Sequence, residues 1–288
     1  MIAAFSSDSN FELIYNSLNN RFGIDLLISE RAKKKGRGLK LSANEAEAIA
    51  VKNKIGAWHP DGFDASKLET VISNKKIKLG IIYSFGKIIP ERIIKLFSLG
   101  IINIHPSLLP KYRGPTPIQT AILNADKETG YSIILADSGC DTGPILAQKI
   151  IPIAETDDYF SLKKKIDETI KKDLAEIIEK YISGGLTLIA QNKSQTTYSK
   201  KIKKTDAFIS EKDSAKTADL KIRAYSKWPR AYFLIEGKKI IIHKAKKENE
   251  QLKLGIIQPE GKNNISFEEF RRGYPSLLTK FPPYVKIL

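Results

Sequence analysis

Residues 1–29 read MIAAFSSDSNFELIYNSLNNRFGIDLLIS. Residues 1–5 and 24–29 are short apolar runs of the kind buried on both faces of a parallel sheet, and between them Phe11, Ile14, Leu18 and Phe22 recur at helical spacing. A strand, a helix and a second strand in so short a stretch predict a βαβ unit. The pattern continues outward: residues 43–55 are helical, and residues 78–84 (KLGIIYS) and 100–105 (GIINIH) are strands flanking a helix opened by Pro90. Residues 131–136 and 145–151 read as further strands, and Tyr159–Ile182 as a long amphipathic helix stopped by Gly184 and Gly185. Alternation of this kind predicts an α/β layer on a mostly parallel sheet with right-handed crossovers, and ligands at the carboxyl ends of its strands.

The vocabulary changes after this unit. Residues 186–205 are polar and Lys-rich, the composition of a linker. Beyond them one helix is predicted near residues 215–225, and residues 231–236 and 239–243 are β-rich and separated by Gly237, as in a hairpin. The organisation expected is therefore a first domain over residues 1–188, a linker over 189–205 and a small β-rich domain over 206–288.

The chain has 288 residues, 42% hydrophobic and 28% charged, enough apolar content to bury a core and too much for a disordered chain. Lys and Arg number 48 against 32 Asp and Glu, a formal charge of +16, which points to a polyanionic partner such as nucleic acid. The excess is uneven: residues 1–190 carry 26 basic and 22 acidic side chains, and residues 191–288 carry 22 and 10. A single cysteine, Cys140, excludes a disulfide framework and a Cys-rich zinc site and fits a reducing compartment. The amino terminus lacks the basic region of a leader, and no apolar run is long enough to span a bilayer. A cytoplasmic protein with no membrane partner is expected, and a monomer.

The chemistry concentrates in residues 103–114, NIHPSLLPKYRG. Asn103 and His105, two apart at the end of a predicted strand, point to the same side of the sheet, into the strand-end crevice. Pro106 and Pro110 force a stiff, non-helical path after them. Asp141 follows 36 residues after His105 in SGCDTGPI, a Gly-bracketed loop between strands that can swing a carboxylate over the same crevice. An amide and an imidazolium suit the oxyanion formed when an amine attacks a carbonyl, and a carboxylate orients the imidazole. None of the three need be a nucleophile, and no local base marks Cys140 as one. His59 and His243 lie far from His105 and lack zinc-ligand spacing, so no metal is expected.

NIHPSLLPKYRG, followed by PIQTAILNADKETGYSI and DSGCDTGPIL, resembles the formyltransferase family that uses 10-formyltetrahydrofolate, most closely its branch acting on methionyl-tRNA. YSFGKIIPERII (residues 83–94), KWPRAYFLIEGKKIIIHKA (227–245) and IQPEGKNNISFEEFRRGYP (257–275) extend the likeness over nearly the whole chain. The resemblance implies a Rossmann-like catalytic domain followed by an OB-like barrel, and transfer of a formyl group to the α-amine of methionyl initiator tRNA for translation initiation. The alternative acceptor is another amine, such as an amino sugar nucleotide. By resemblance Asn103 and His105 hold the formyl oxygen, Asp141 keeps His105 charged and moves protons, and folate is held by Ser107, Leu108, Leu109 and Pro110 with Ser84, Phe85, Gly86, Ile88 and Ile89.

Two basic segments are the expected RNA contacts. Residues 31–40, RAKKKGRGLK, carry six basic side chains in ten, Arg31, Lys33, Lys34, Lys35, Arg37 and Lys40, and read as a loop with no packed element, leaving the sheet beside the crevice. The family's insertion at this point meets the acceptor end of the tRNA. The second set lies in the linker and small domain and includes Lys203 and Lys204. Two departures stand out. FSSDSNF replaces the family's F-G-T-x-x-F, putting Ser6 where a tight Gly turn is expected, and the C-terminal domain is short by a strand pair, which predicts an open barrel.

Overall fold

The computed structural model describes residues 1–31, 33–35, 40–42, 44–60 and 64–287, with side chains described outside residues 33–35 and 40–42. The elements in chain order are β1 (Ile2–Phe5), α1 (Asn10–Phe22), β2 (Ile24–Ile28), β3 (Lys33–Lys35), β4 (Lys40–Ser42), α2 (Glu45–Lys52), β5 (Gly56–Trp58), α3 (Ala65–Asn74), β6 (Leu79–Ile82), α4 (Glu91–Ile94), β7 (Ile101–His105), α5 (Pro117–Leu123), β8 (Glu128–Leu135), β9 (Ile145–Pro152) and α6 (Tyr159–Ile182). After them come α7 (Ala215–Ala224), β10 (Tyr232–Ile235), β11 (Lys238–Glu248), β12 (Gln251–Pro259), β13 (Ile265–Ser266), α8 (Phe267–Gly273) and β14 (Val285–Lys286). The chain groups into two compact units, one of residues 1–113, 130–150 and 166–198, the other of residues 114–129, 151–165 and 199–288.

The first unit is built on a seven-stranded sheet in the order β5-β2-β1-β6-β7-β8-β9. The five strands from β5 to β7 pair in parallel, and β8 runs antiparallel to β7. β1 is buried at every position because apolar side chains must cover both faces of a central strand. Leu68 and Ile72 of α3, with Ile93 and Phe97 at α4, pack on Ala3, Phe5, Leu26 and Ile28. On α6, Ile166, Ile170, Leu174 and Ile178 recur every four residues as one fully buried stripe. Buried Tyr83 and Tyr131 donate hydrogen bonds to Asp167 and Asp173 of this helix, each at 2.6 Å. Burial and the carboxylate of Asp173 push the Tyr131 hydroxyl far above its ordinary range, so it remains a donor.

The βαβ opening, the strands at β6 and β7 and the long helix follow the periodicity of the sequence. β5 and α3 were not legible in it. The larger difference is at residues 31–40, expected to be a loop: β3 and β4 form a two-stranded antiparallel ribbon pairing Lys33 with Ser42, Lys34 with Leu41 and Lys35 with Lys40. Backbone pairing closes a hairpin whatever the side-chain charge, so a run that reads as solvated on composition still takes regular structure.

The second unit carries a five-stranded sheet, β10-β11-β12-β13 with β14 added parallel to β12. Alternation puts Ile240, Ile242, Leu252 and Leu254 inward, where they meet Ala215, Ala218 and Ile222 of α7 and an aromatic cluster of Phe233, Phe267, Phe270 and Phe281. Ser214 caps α7 through the Thr217 amide, and Ser266 with Glu269 makes a reciprocal capping box on α8. Among the described residues no pairing joins β10 back to β13, so the sheet is open, as its shortness predicts. The outer edge of β10 receives Ile209, whose amide donates to the Tyr232 carbonyl at 2.9 Å. Among the described residues no helix is long and apolar enough to cross a membrane.

Candidate active site

β7 ends the parallel part of the sheet, and its last residues set the site. Asn103 lies beside Ile82 of β6 and Ile134 of β8, and His105 beside Ser132. Their alternation sends both side chains to one face at the carboxyl end. The β8–β9 connection brings Asp141 to the same point. Asn103 Nδ2 donates to Asp141 Oδ1 at 2.9 Å, and His105 Nδ1 stands 3.5 Å from Asp141 Oδ2. The His105 side chain is 6% exposed and that of Asp141 12%, so the two groups meet where solvent screens weakly. His105 Nε2 contacts the Tyr112 carbonyl at 2.9 Å, and since a carbonyl only accepts, Nε2 carries a proton there. Both ring nitrogens thus face acceptor oxygens. The ring is fixed through Nε2, and Nδ1 makes the looser contact, to Asp141.

The stiff path after His105 is held from within. Ser107, fully buried, donates to the Lys111 carbonyl at 2.6 Å, and Ser132 donates to the Ser107 carbonyl at 2.6 Å while accepting from the Leu109 amide at 2.9 Å. Gln148 donates to the Leu109 carbonyl at 2.7 Å. The loop carrying Asp141 is equally constrained. Asp141 sits at φ 54°, in the left-handed region, and a Cβ on Gly143 would lie 1.8 Å from the Leu135 carbonyl oxygen, so only glycine fits. Cys140 is exposed beside it, and its thiol lies 3.6 Å from Asp141 Oδ2. Burial and the neighbouring carboxylate push that thiol up to about 11, so it is a proton donor and no nucleophile near neutrality.

The structure therefore brings Asn103, His105 and Asp141 together. Of the residues expected to meet folate, Ser107 and Leu109 are buried and Leu108 half-buried. Ile89 is buried in the apolar core and Phe85 packs edge-on against Phe5, whereas Ile88 is exposed at 70%. Segments 84–90 and 107–110 follow the neighbouring parallel strands β6 and β7, which puts both at the same strand-end edge. Asn10 donates to the Ser84 hydroxyl, anchoring that turn at the start of α1. Ser6 is fully buried without a positive φ, and its hydroxyl has no hydrogen-bond partner among the described residues. Arg31 borders a depression with Trp58, His59, Asp64 and Lys67. Lys33, Lys34, Lys35 and Lys40 lie on the β3–β4 ribbon, and Arg37 lies outside the described residues. Lys203 and Lys204 are exposed in the second unit. Among the described residues no group of three or more His, Cys, Asp or Glu is placed to hold a metal ion.

One contributor was missed in the sequence. Gln191, in the polar segment read as a linker, accepts from Arg113 Nε and Nη2 at 3.1 and 2.6 Å and donates to the carbonyls of Asp141 and Gly143 at 2.9 and 2.7 Å. Nothing in its local pattern marks it, because its partners come from two other loops.

This arrangement of donors around one carboxylate suits attack of an amine on a carbonyl. Two family models match the chain: Formyl transferase over residues 1–178, and Formyl transferase, C-terminal domain, over residues 201–254. A methionyl-tRNA formyltransferase of Legionella pneumophila (strain Corby) is 34% identical over 229 residues, covering 80% of this chain and 73% of that one. A methionyl-tRNA formyltransferase of Dictyoglomus thermophilum is 33% identical over 291 residues, covering 91% and 92%. Among solved structures, an N-formyltransferase from Helicobacter canadensis, in complex with folinic acid and dTDP-3-aminofucose, has a TM-score of 0.63 at 22% identity over 92% of this chain and 97% of that one. The first family model takes in β7 and the Asp141 loop, the second follows it in order along the chain, and on these grounds the chain belongs to the formyl transferase family.

Proposed function

We propose that this formyltransferase moves the formyl group of 10-formyltetrahydrofolate to the α-amino group of methionyl initiator tRNA. The observation that carries the acceptor is that the Dictyoglomus relative, a methionyl-tRNA formyltransferase, aligns over 91% of this chain and 92% of its own length. The excess of 22 basic over 10 acidic residues in positions 191–288 supports a polyanionic acceptor. Folate would sit at the strand-end edge that segments 84–90 and 107–110 share, with exposed Ile88 on the first of them as apolar surface for it. Bound there, the folate supplies the formyl carbon and an amine leaving group.

The chain's own residues then divide the work. As the methionine amine adds to the formyl carbon, negative charge grows on the carbonyl oxygen. The second N–H of Asn103 and the Nδ1–H of His105 are the donors for it. The amine must lose a proton, and Asp141 Oδ2, the carboxylate oxygen that faces His105 Nδ1, takes it. Breaking the old C–N bond requires a proton on the leaving nitrogen, and His105 Nδ1 supplies it. Pinning Nε2 on the Tyr112 carbonyl keeps the ring from turning during the exchange. Nothing here calls for a covalent enzyme intermediate.

The test is a transfer assay with 10-formyltetrahydrofolate and two competing acceptors, charged initiator tRNA and a dTDP-amino sugar. Preferential formylation of the tRNA supports the proposal. Transfer to the sugar alone would replace the acceptor, and transfer to neither would refute the reading.

A further inference from the structure

We propose that Gln191 is a positioning residue that holds the Asp141 loop in its reactive conformation, and that Arg113 fixes Gln191 in turn. This deepens the reading of the site given above and rests on it. The primary amide of Gln191 uses all its capacity. Its oxygen accepts from Arg113 Nε at 3.1 Å and Nη2 at 2.6 Å, and its nitrogen donates to the carbonyls of Asp141 at 2.9 Å and Gly143 at 2.7 Å. The orientation of the amide is forced, because a guanidinium only donates and a carbonyl only accepts.

The two carbonyls belong to the residues on which the loop turns. Asp141 is at φ 54° and Gly143 admits no side chain, so the peptide groups around them have one arrangement available. Gln191 ties down both ends of that turn. Its own backbone is fixed on either side: Ile189 exchanges both hydrogen bonds with Ile145, at 2.8 and 2.9 Å, and the Thr197 carbonyl accepts from the Arg113 amide at 3.0 Å. Arg113 is 5% exposed, and the Thr197 hydroxyl accepts from the amide of Tyr112, whose carbonyl orients His105. Segment 189–197 therefore braces both halves of the reacting centre, the His105 carbonyl partner through Thr197 and the Asp141 loop through Gln191.

Two substitutions separate positioning from simple structural support. Gln191→Glu keeps the acceptors for Arg113, and adds charge to that pair, while removing both donors to the loop. Gln191→Ala removes everything. A residue that only anchored the segment would tolerate Glu. A positioning residue loses turnover with both. We expect each variant to lower kcat for formyl transfer about 10- to 100-fold, the scale for sub-ångström to ångström misplacement of a reacting group, with KM for folate and acceptor changed less than about threefold. Gln191→Glu also sets a carboxylate oxygen against the carbonyls of Asp141 and Gly143, so its thermal midpoint should fall while the circular dichroism of the folded parent is kept. Wild-type kcat in Gln191→Glu, or a loss in either variant confined to KM, would overturn the inference. If Gln191→Ala does not fold, Gln191→Glu alone decides. Absence of transfer in the unsubstituted protein would instead count against the reading of the site, so the two failures are distinct.

Discussion

Replacing Asp141 by Asn tests the electrostatics of the site with the least change in shape. The amide is isosteric, and its oxygen can keep the 2.9 Å hydrogen bond from Asn103. Its nitrogen then occupies the place of Oδ2, 3.5 Å from His105 Nδ1. An amide nitrogen only donates, so Nδ1 must present its lone pair, and the ring, still donating from Nε2 to Tyr112, is held neutral. The variant thus loses the proton acceptor for the incoming amine and the mobile Nδ1 proton together. Proton transfer by a positioned group contributes about 10²- to 10⁴-fold, or roughly 3–5 kcal/mol of barrier at 1.36 kcal/mol per decade. The assay is single-turnover formyl transfer at saturating folate and tRNA, with tRNA affinity measured separately. A fall in that range with affinity within about twofold is expected. A variant within about fivefold of the parent rate would refute the assignment of Asp141 and the imidazolium with it.

Three further outcomes follow from particular side chains. Ser6→Ala should stabilise the protein by about 1 kcal/mol, raising the thermal midpoint by roughly 2–4 °C, because it removes a buried hydroxyl with no hydrogen-bond partner among the described residues; a lower midpoint would contradict this. Cys140, exposed but with its thiol pushed up to about 11, should react with iodoacetamide at pH 8 on the order of 100-fold more slowly than an ordinary thiol, and its rate should keep climbing with pH until about 11; a plateau near pH 9 would show the thiol to be unperturbed. Neutralising Lys33, Lys34, Lys35 and Arg37 should raise KM for tRNA and lower the slope of log affinity against log salt by roughly 0.7–0.9 for each phosphate no longer neutralised, and an unchanged slope would remove the ribbon from the RNA-binding surface.

The meeting of Asn103, His105 and Asp141 was legible because residue types suited to an oxyanion sit at a strand end with period-two spacing, Asn103 and His105, and Asp141 lies in a Gly-bracketed loop between two strands. The parallel sheet was legible for a related reason: strands buried on both faces must be uniformly apolar, as β1 is. β5 was not, because its three residues, Gly56–Trp58, are too short to carry a period. The β3–β4 ribbon was hidden by its charge, since hairpin pairing depends on backbone groups that composition does not report. Gln191 was hidden for the reason that makes it interesting: its four hydrogen bonds reach residues 48 to 78 positions away, and the polar, Lys-rich stretch it belongs to reads as a connector. The Tyr112 carbonyl that orients His105 is backbone and leaves no trace in residue type at all.

The most direct measurement is formyl transfer itself, followed with labelled 10-formyltetrahydrofolate and charged initiator tRNA, for the parent protein and for Asn103→Ala and His105→Ala. Formyl-methionyl-tRNA is expected from the parent, with a loss of about 10²- to 10³-fold in single-turnover rate in each variant and tRNA affinity retained. Near-parental turnover in either variant, or no formylated tRNA from the parent, would contradict this expectation.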